Sequence, residues 1–175
     1  MMSVIRAFIA IDLSPEIQSK LEEVSSALIS RLKDAPVRWV PVGNIHLTLK
    51  FLGDVSLANL EMLKNILAAQ ASAARSFEVS VGDLGAFPSA SRPRVVWVGI
   101  DAPPELAAFQ YSIENETSRL GYAREDRDFS PHLTLGRVSR NATPSELRRI
   151  SEGLSGYHVG LLGASRVSAV HLYRS

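Results

Sequence analysis

The chain has 175 residues, 46% of them hydrophobic and 21% charged, with a net charge of +1 and no cysteine. At this length folding buries roughly 70% of the surface that the unfolded chain exposes, so a full core needs no covalent staples. The lack of cysteine excludes disulfides and thiolate metal sites and suits a reducing cytoplasm; so small a net charge gives no ground for a nucleic-acid binder by composition, and any anionic partner has to be met by a local patch.

The first apolar run, IRAFIAI over residues 5–11, is too short for a membrane span and lacks a small-residue cleavage site, and its β-branched and aromatic members predict a strand. Ser14-Pro15 then supplies a capping hydroxyl and a first-turn proline. Ile17, Leu21, Val24, Leu28 and Leu32 follow on one helical face, and Pro36 ends the pattern. Residues 46–52 predict a strand, Gly53-Asp54 a turn, residues 56–69 a second helix and residues 77–81 a further strand.

The second half repeats this plan. Residues 94–100 (RVVWVGI) form an apolar strand closed by Asp101, as residues 5–11 are closed by Asp12. Pro104-Glu105 opens a helix carrying Leu106, Phe109, Ile113 and Leu120, which stops at Gly121. Residues 132–138 predict a strand, and Thr143 and Glu146 have capping-box spacing at the start of another helix. Residues 157–161 and 167–172 predict the closing strands. Each half therefore reads strand–helix–strand–helix–strand at a nearly constant offset, which indicates an internal duplication. The expectation is one α+β domain of two similar lobes, with half-repeats at residues 1–85 and 86–175.

The repeat carries chemistry. The tetrapeptide His-Leu-Thr-Leu occurs twice, at residues 46–49 and 132–135, in a chain with only four histidines. On a strand, His46 and Thr48 share one face while Leu47 and Leu49 take the other, and His132 and Thr134 stand in the same relation to Leu133 and Leu135. If the lobes are related by a two-fold axis, both His/Thr pairs face one groove. Two imidazoles flanking a phosphorus atom suit in-line displacement: one takes a proton from water and the other gives one to the leaving oxygen. The hydroxyls donate to the non-bridging oxygens. A zinc site is disfavoured, since no Cys, Asp or Glu sits at ligand spacing near either motif. His158 and His171, lacking any such partner, read as ordinary strand histidines.

The stretches RAFIAIDL, HLTLKFLGDV, LGAFPSASRPRVVWVGI, FSPHLTLGRV and VHLYRS resemble the 2H phosphoesterase superfamily, and within it the bacterial and archaeal RNA 2′,3′-cyclic phosphodiesterases, also called 2′-5′ RNA ligases (LigT-like). The resemblance implies a bilobal α+β fold, two antiparallel-type sheets flanking a central cleft with helices outside. It implies metal-independent, cofactor-free opening of a ribose 2′,3′-cyclic phosphate to a 2′-phosphate, with RNA ends or nucleotides as substrate. By position, His46 and His132 are then the catalytic pair and Thr48 and Thr134 bind phosphate. The family also suggests Phe51 as a surface for the base and Arg137 as a phosphate contact. Strict alternation puts Phe51 and Arg137 on the leucine face and Lys50 with His46; a bulge at Gly136, or the strand running out at Gly53, would re-aim the first two. Lys50, Arg92, Arg94, Arg124 and Arg127 are further candidates for an RNA path. Reversible 2′-5′ RNA joining, a phosphodiesterase for another cyclic phosphate such as ADP-ribose 1″,2″-cyclic phosphate, and a non-catalytic RNA-end-binding module remain open alternatives. The expected protein is a cytoplasmic monomer with no membrane segment.

Overall fold

A computed structural model describes residues 3–175. The elements in chain order are β1 (Val4–Ile11), α1 (Pro15–Arg31), β2 (Val37–Trp39), a single 3-10 turn (Val42–Asn44), β3 (Leu47–Ser56), α2 (Leu57–Ala73), β4 (Phe77–Ser89), β5 (Arg92–Asp101), α3 (Pro104–Arg119), β6 (His132–Val138), α4 (Pro144–Ser155), β7 (Leu161–Val167) and β8 (His171–Arg174). The helix starts follow the sequence signals. Ser14 and Ser56 accept the backbone N–H groups of Ile17 and Asn59, and Thr143 with Glu146 closes a capping box.

The strands form two antiparallel sheets, one ordered β3-β1-β8 and the other β2-β6-β5-β4-β7. The two halves do not keep to their own sheets. β2 and β4, from the first half, join the larger sheet, and β8 returns from the end of the chain to pair with β1. The helices follow the same exchange: α1 lies against β7 and α4, while α3 lies against β3 and α2. β3 and β6, the strands that carry the repeated tetrapeptide, touch each other. Leu47, Leu49, Leu133 and Leu135 are all buried, so their face of each strand belongs to the core.

The strand ends differ from expectation. β3 runs through Gly53, which takes a φ of +71°, and pairs with β1 as far as Ser56, so Gly53-Asp54 is no turn. β4 extends to Ser89 because its glycines pack under neighbours instead of breaking the strand: at Gly85 a Cβ would lie 2.2 Å from the Trp97 ring. His158 falls in the segment before β7, not in a strand, and β2 was not foreseen because three residues are too few to show a period.

Candidate active site

In the smaller sheet Ile9 and Ile11 of β1 point to the core, so Phe8, Ala10 and Asp12 take the opposite face. Register then brings Thr48 beside Ala10, Phe51 beside Phe8, and His171 and Tyr173 beside Ala10 and Phe8 from the other side. His46, just before β3, stands over this face. Its ring stacks on Tyr173 at 4.3 Å between centroids, and Phe8 lies 5.9 Å away. His46 Nδ1 donates to Asp12 Oδ1 at 3.0 Å. Tyr173 donates its phenol proton to the same oxygen, and His171 Nε2 lies 3.4 Å from the other. Burial, the bond to Asp12 and that carboxylate's charge together push the Tyr173 hydroxyl up to about 12, so it stays a donor at all ordinary pH values.

In the larger sheet the buried pair Val96 and Val98 marks the core face of β5. Gly99, Trp97 and Val95 therefore face the other way, and their partners on β6 are His132, Thr134 and Arg137. His132 Nδ1 donates to the carbonyl of Ser130 at 2.7 Å, and Phe87 meets its ring edge-on at 4.9 Å. The two imidazoles are thus anchored through the same nitrogen by different acceptors, a carboxylate for His46 and a backbone carbonyl for His132. Each neutral ring so held carries its free lone pair on Nε2.

A register shift decides the placement of Phe51, Lys50 and Arg137. β3 slips against β1 between the Ile9–Lys50 and Ala10–Thr48 pairs, and β6 slips against β5 between the Val96–Gly136 and Trp97–Thr134 pairs. Each bulge lies in the three residues after its motif threonine and reverses the alternation beyond it. Phe51 therefore shares the face of Thr48 and stands 59% exposed, 6.1 Å from Phe8. Arg137 shares the face of Thr134.

Lys50 goes the other way. It is only 2% exposed, pairs with Glu114 at 2.9 Å, and donates to the carbonyl of Ala123. It is no part of an RNA path, because the bulge turns it inward. Arg92 and Arg94 line a groove with Arg148 beside α4, on the helix side of the larger sheet, and Arg124 donates to Asn115. Asp12, Tyr173 and His171 were not marked as site residues by sequence reasoning. Two signals were available: Asp12 closes the first strand in the same place as Asp101 closes its counterpart, and Asp12, His171 and Tyr173 fall in the stretches RAFIAIDL and VHLYRS that carry the resemblance, but neither names a partner 34 residues away.

Comparison with known proteins fits this geometry. The chain is 35% identical over 171 residues, 98% of its length and 90% of the relative's, to an RNA 2′,3′-cyclic phosphodiesterase of Methanothermobacter thermautotrophicus. Its identity to the Escherichia coli protein of the same description is 34% over 138 residues, 78% of this chain and 74% of that one. Among solved structures, E. coli LigT complexed with 3′-AMP superposes with a TM-score of 0.74 at 27% identity, covering 99% of this chain and 89% of that one. The sequence pattern described as LigT like Phosphoesterase matches twice, at residues 11–97 and 98–175, and the chain belongs to that family.

Proposed function

We propose that this chain hydrolyses 2′,3′-cyclic phosphates at RNA ends to 2′-phosphates, with His46 and His132 as the proton-transfer pair and no cofactor. The observation that carries this reading is the doubled His-x-Thr arrangement on two touching strands, each imidazole anchored at Nδ1 and left with Nε2 for chemistry. Water attacks phosphorus in line with the ribose 3′-oxygen. One histidine takes the water's proton, the P–O3′ bond breaks, and the other histidine protonates the departing 3′-oxygen. Thr48 and Thr134 donate to the non-bridging oxygens as charge builds on them. Two such proton transfers at ~10²–10⁴-fold each lower the barrier by about 5–11 kcal/mol. Phe51 offers an exposed ring on which the terminal base stacks, and Arg137 a guanidinium for phosphate.

When a 5′-hydroxyl takes the water's place as nucleophile, the same in-line displacement breaks P–O3′ and forms a 2′-5′ phosphodiester, so joining accompanies hydrolysis when 5′-hydroxyl ends are abundant. No helix among the described residues is long and apolar enough to cross a membrane. We take the chain to act as a monomeric bilobal unit in the cytoplasm.

A substrate panel tests the reading. RNA oligonucleotides ending in a 2′,3′-cyclic phosphate, nucleoside 2′,3′-cyclic phosphates and ADP-ribose 1″,2″-cyclic phosphate are compared by kcat/KM, with the product typed as 2′- or 3′-phosphate. The ribonucleotide cyclic phosphates are expected to lead and to yield 2′-phosphate. A lead for the ADP-ribose derivative, or a 3′-phosphate product, overturns it.

A further inference from the structure

β2 is an edge strand of three residues, and its middle residue is Arg38. Val37 and Trp39 on either side pack on the core. They lie so close over Gly136 that a Cβ there would come within 2.9 Å of Val37 and 2.8 Å of Trp39. Backbone bonds from Ser139 N–H to Pro36 and from Val40 N–H to Leu135, both 2.8 Å, close the strand at its two ends. With its neighbours fixed inward, Arg38 points the other way, to the face of His132 and Thr134. Register sets it directly opposite Arg137.

Like charges directly opposite on paired strands repel, and an edge strand usually avoids the arrangement or neutralises it. Here neither arginine forms an ion pair with any carboxylate among the described residues, and both are exposed. Two planar guanidinium forks held side by side without a counter-ion are suited to a phosphate, which each can grip with two N–H groups. The position along the sheet says which phosphate. His132 pairs with Gly99 and Arg137 with Val95, four residues on, or about 13 Å between backbones, with Thr134 in between. The reacting phosphate belongs to His132 and Thr134; the arginines stand one step further along any chain that lies on this face.

Resting on the function proposed above, we infer that Arg38 and Arg137 together seat the phosphate on the 5′ side of the terminal nucleotide, making the chain selective for RNA ends over single cyclic nucleotides. A nucleoside 2′,3′-cyclic phosphate with a free 5′-hydroxyl has nothing to place there.

The test measures kcat/KM for one such nucleoside cyclic phosphate and for a trinucleotide ending in the same cyclic nucleotide, using wild type, Arg38→Gln, Arg38→Lys and Arg75→Gln. Arg75, outside the strands of both sheets, loses the same charge and controls for the general field of the protein. Wild type is expected to favour the trinucleotide. Arg38→Gln is expected to cut that preference about tenfold, as befits loss of a charge-assisted contact, through KM more than kcat. Its salt slope for the trinucleotide should flatten by about 0.7. Arg38→Lys keeps part of the preference and Arg75→Gln all of it. Equal losses on both substrates from Arg38→Gln would place Arg38 on the reacting phosphate and overturn the inference, as would a wild type with no preference for the trinucleotide. A wild type inactive on both substrates instead overturns the function proposed above.

Discussion

Asp12 has two carboxylate oxygens and three partners for them: His46, Tyr173 and His171. It turns the His46 ring so that Nδ1 faces the protein, and Tyr173 both stacks on that ring and anchors the carboxylate. Replacing Asp12 by Asn keeps the shape and removes the charge; loss of one charge-assisted bond is expected to lower kcat about 10–100-fold with little change in KM. Steady-state kinetics on a cyclic nucleotide reads this out directly. A matching effect on KM would instead make Asp12 a substrate contact. Tyr173 offers a separate check by pH. Its hydroxyl is held up to about 12 against an ordinary value near 10, so the stabilisation it provides is complete below about pH 10 and is lost as pH rises through about 12. Tyr173→Phe should remove that alkaline loss from a series of urea melts run across the window, and a variant curve parallel to wild type would contradict the assignment.

At the scale of the strand, a single extra residue outweighs the hydrophobic pattern. Reading β3 and β6 by alternation puts Leu47, Leu49, Leu133 and Leu135 correctly inside, since nothing interrupts the period before them. Beyond Leu49 and Leu135 the period fails, because a bulge has no composition of its own to announce it. Phe51 and Arg137 therefore reach the open face against strict parity, while Lys50, apparently best placed to meet RNA, is turned into the protein. There it meets the loop that precedes the second motif. The Lys50–Glu114 pair holds the carbonyl of Ala123, and Glu114 also accepts the N–H of Glu125 at 3.3 Å, both in the long loop that leads to His132. Removing one charge of a buried pair leaves the other unmatched, so Lys50→Met is expected to cost about 3–5 kcal/mol in equilibrium urea unfolding. Adding Glu114→Gln, which removes the stranded charge and keeps an acceptor for Glu125, should restore part of it. If Lys50→Met unfolds like wild type, the pair does not fasten this loop.

Over the whole molecule, the repeat of strands and helices and the doubled motif were legible because duplication preserves spacing, and spacing is what a sequence displays. The exchange of β2, β4 and β8 between the sheets was not, because pairing partners far apart in the chain leave no local mark. That exchange matters for the site. β8 brings Tyr173 and His171 from the end of the chain to Asp12 at its start, and β2 brings Arg38 to the sheet that carries His132. The motifs are alike in sequence, yet their settings differ: a carboxylate and two aromatic rings around His46, a backbone carbonyl and the edge of Phe87 around His132. The central claim is that both rings act on one phosphorus atom. Its most direct test is single-turnover cleavage of an RNA oligonucleotide ending in a 2′,3′-cyclic phosphate, in excess EDTA, by wild type, His46→Ala, His132→Ala and the double variant. Full wild-type activity in EDTA is expected, with a loss of ~10²–10⁴-fold for each single variant and a double variant that falls by less than the product of the two. A single variant within a few-fold of wild type, or a wild type silenced by EDTA, would contradict it.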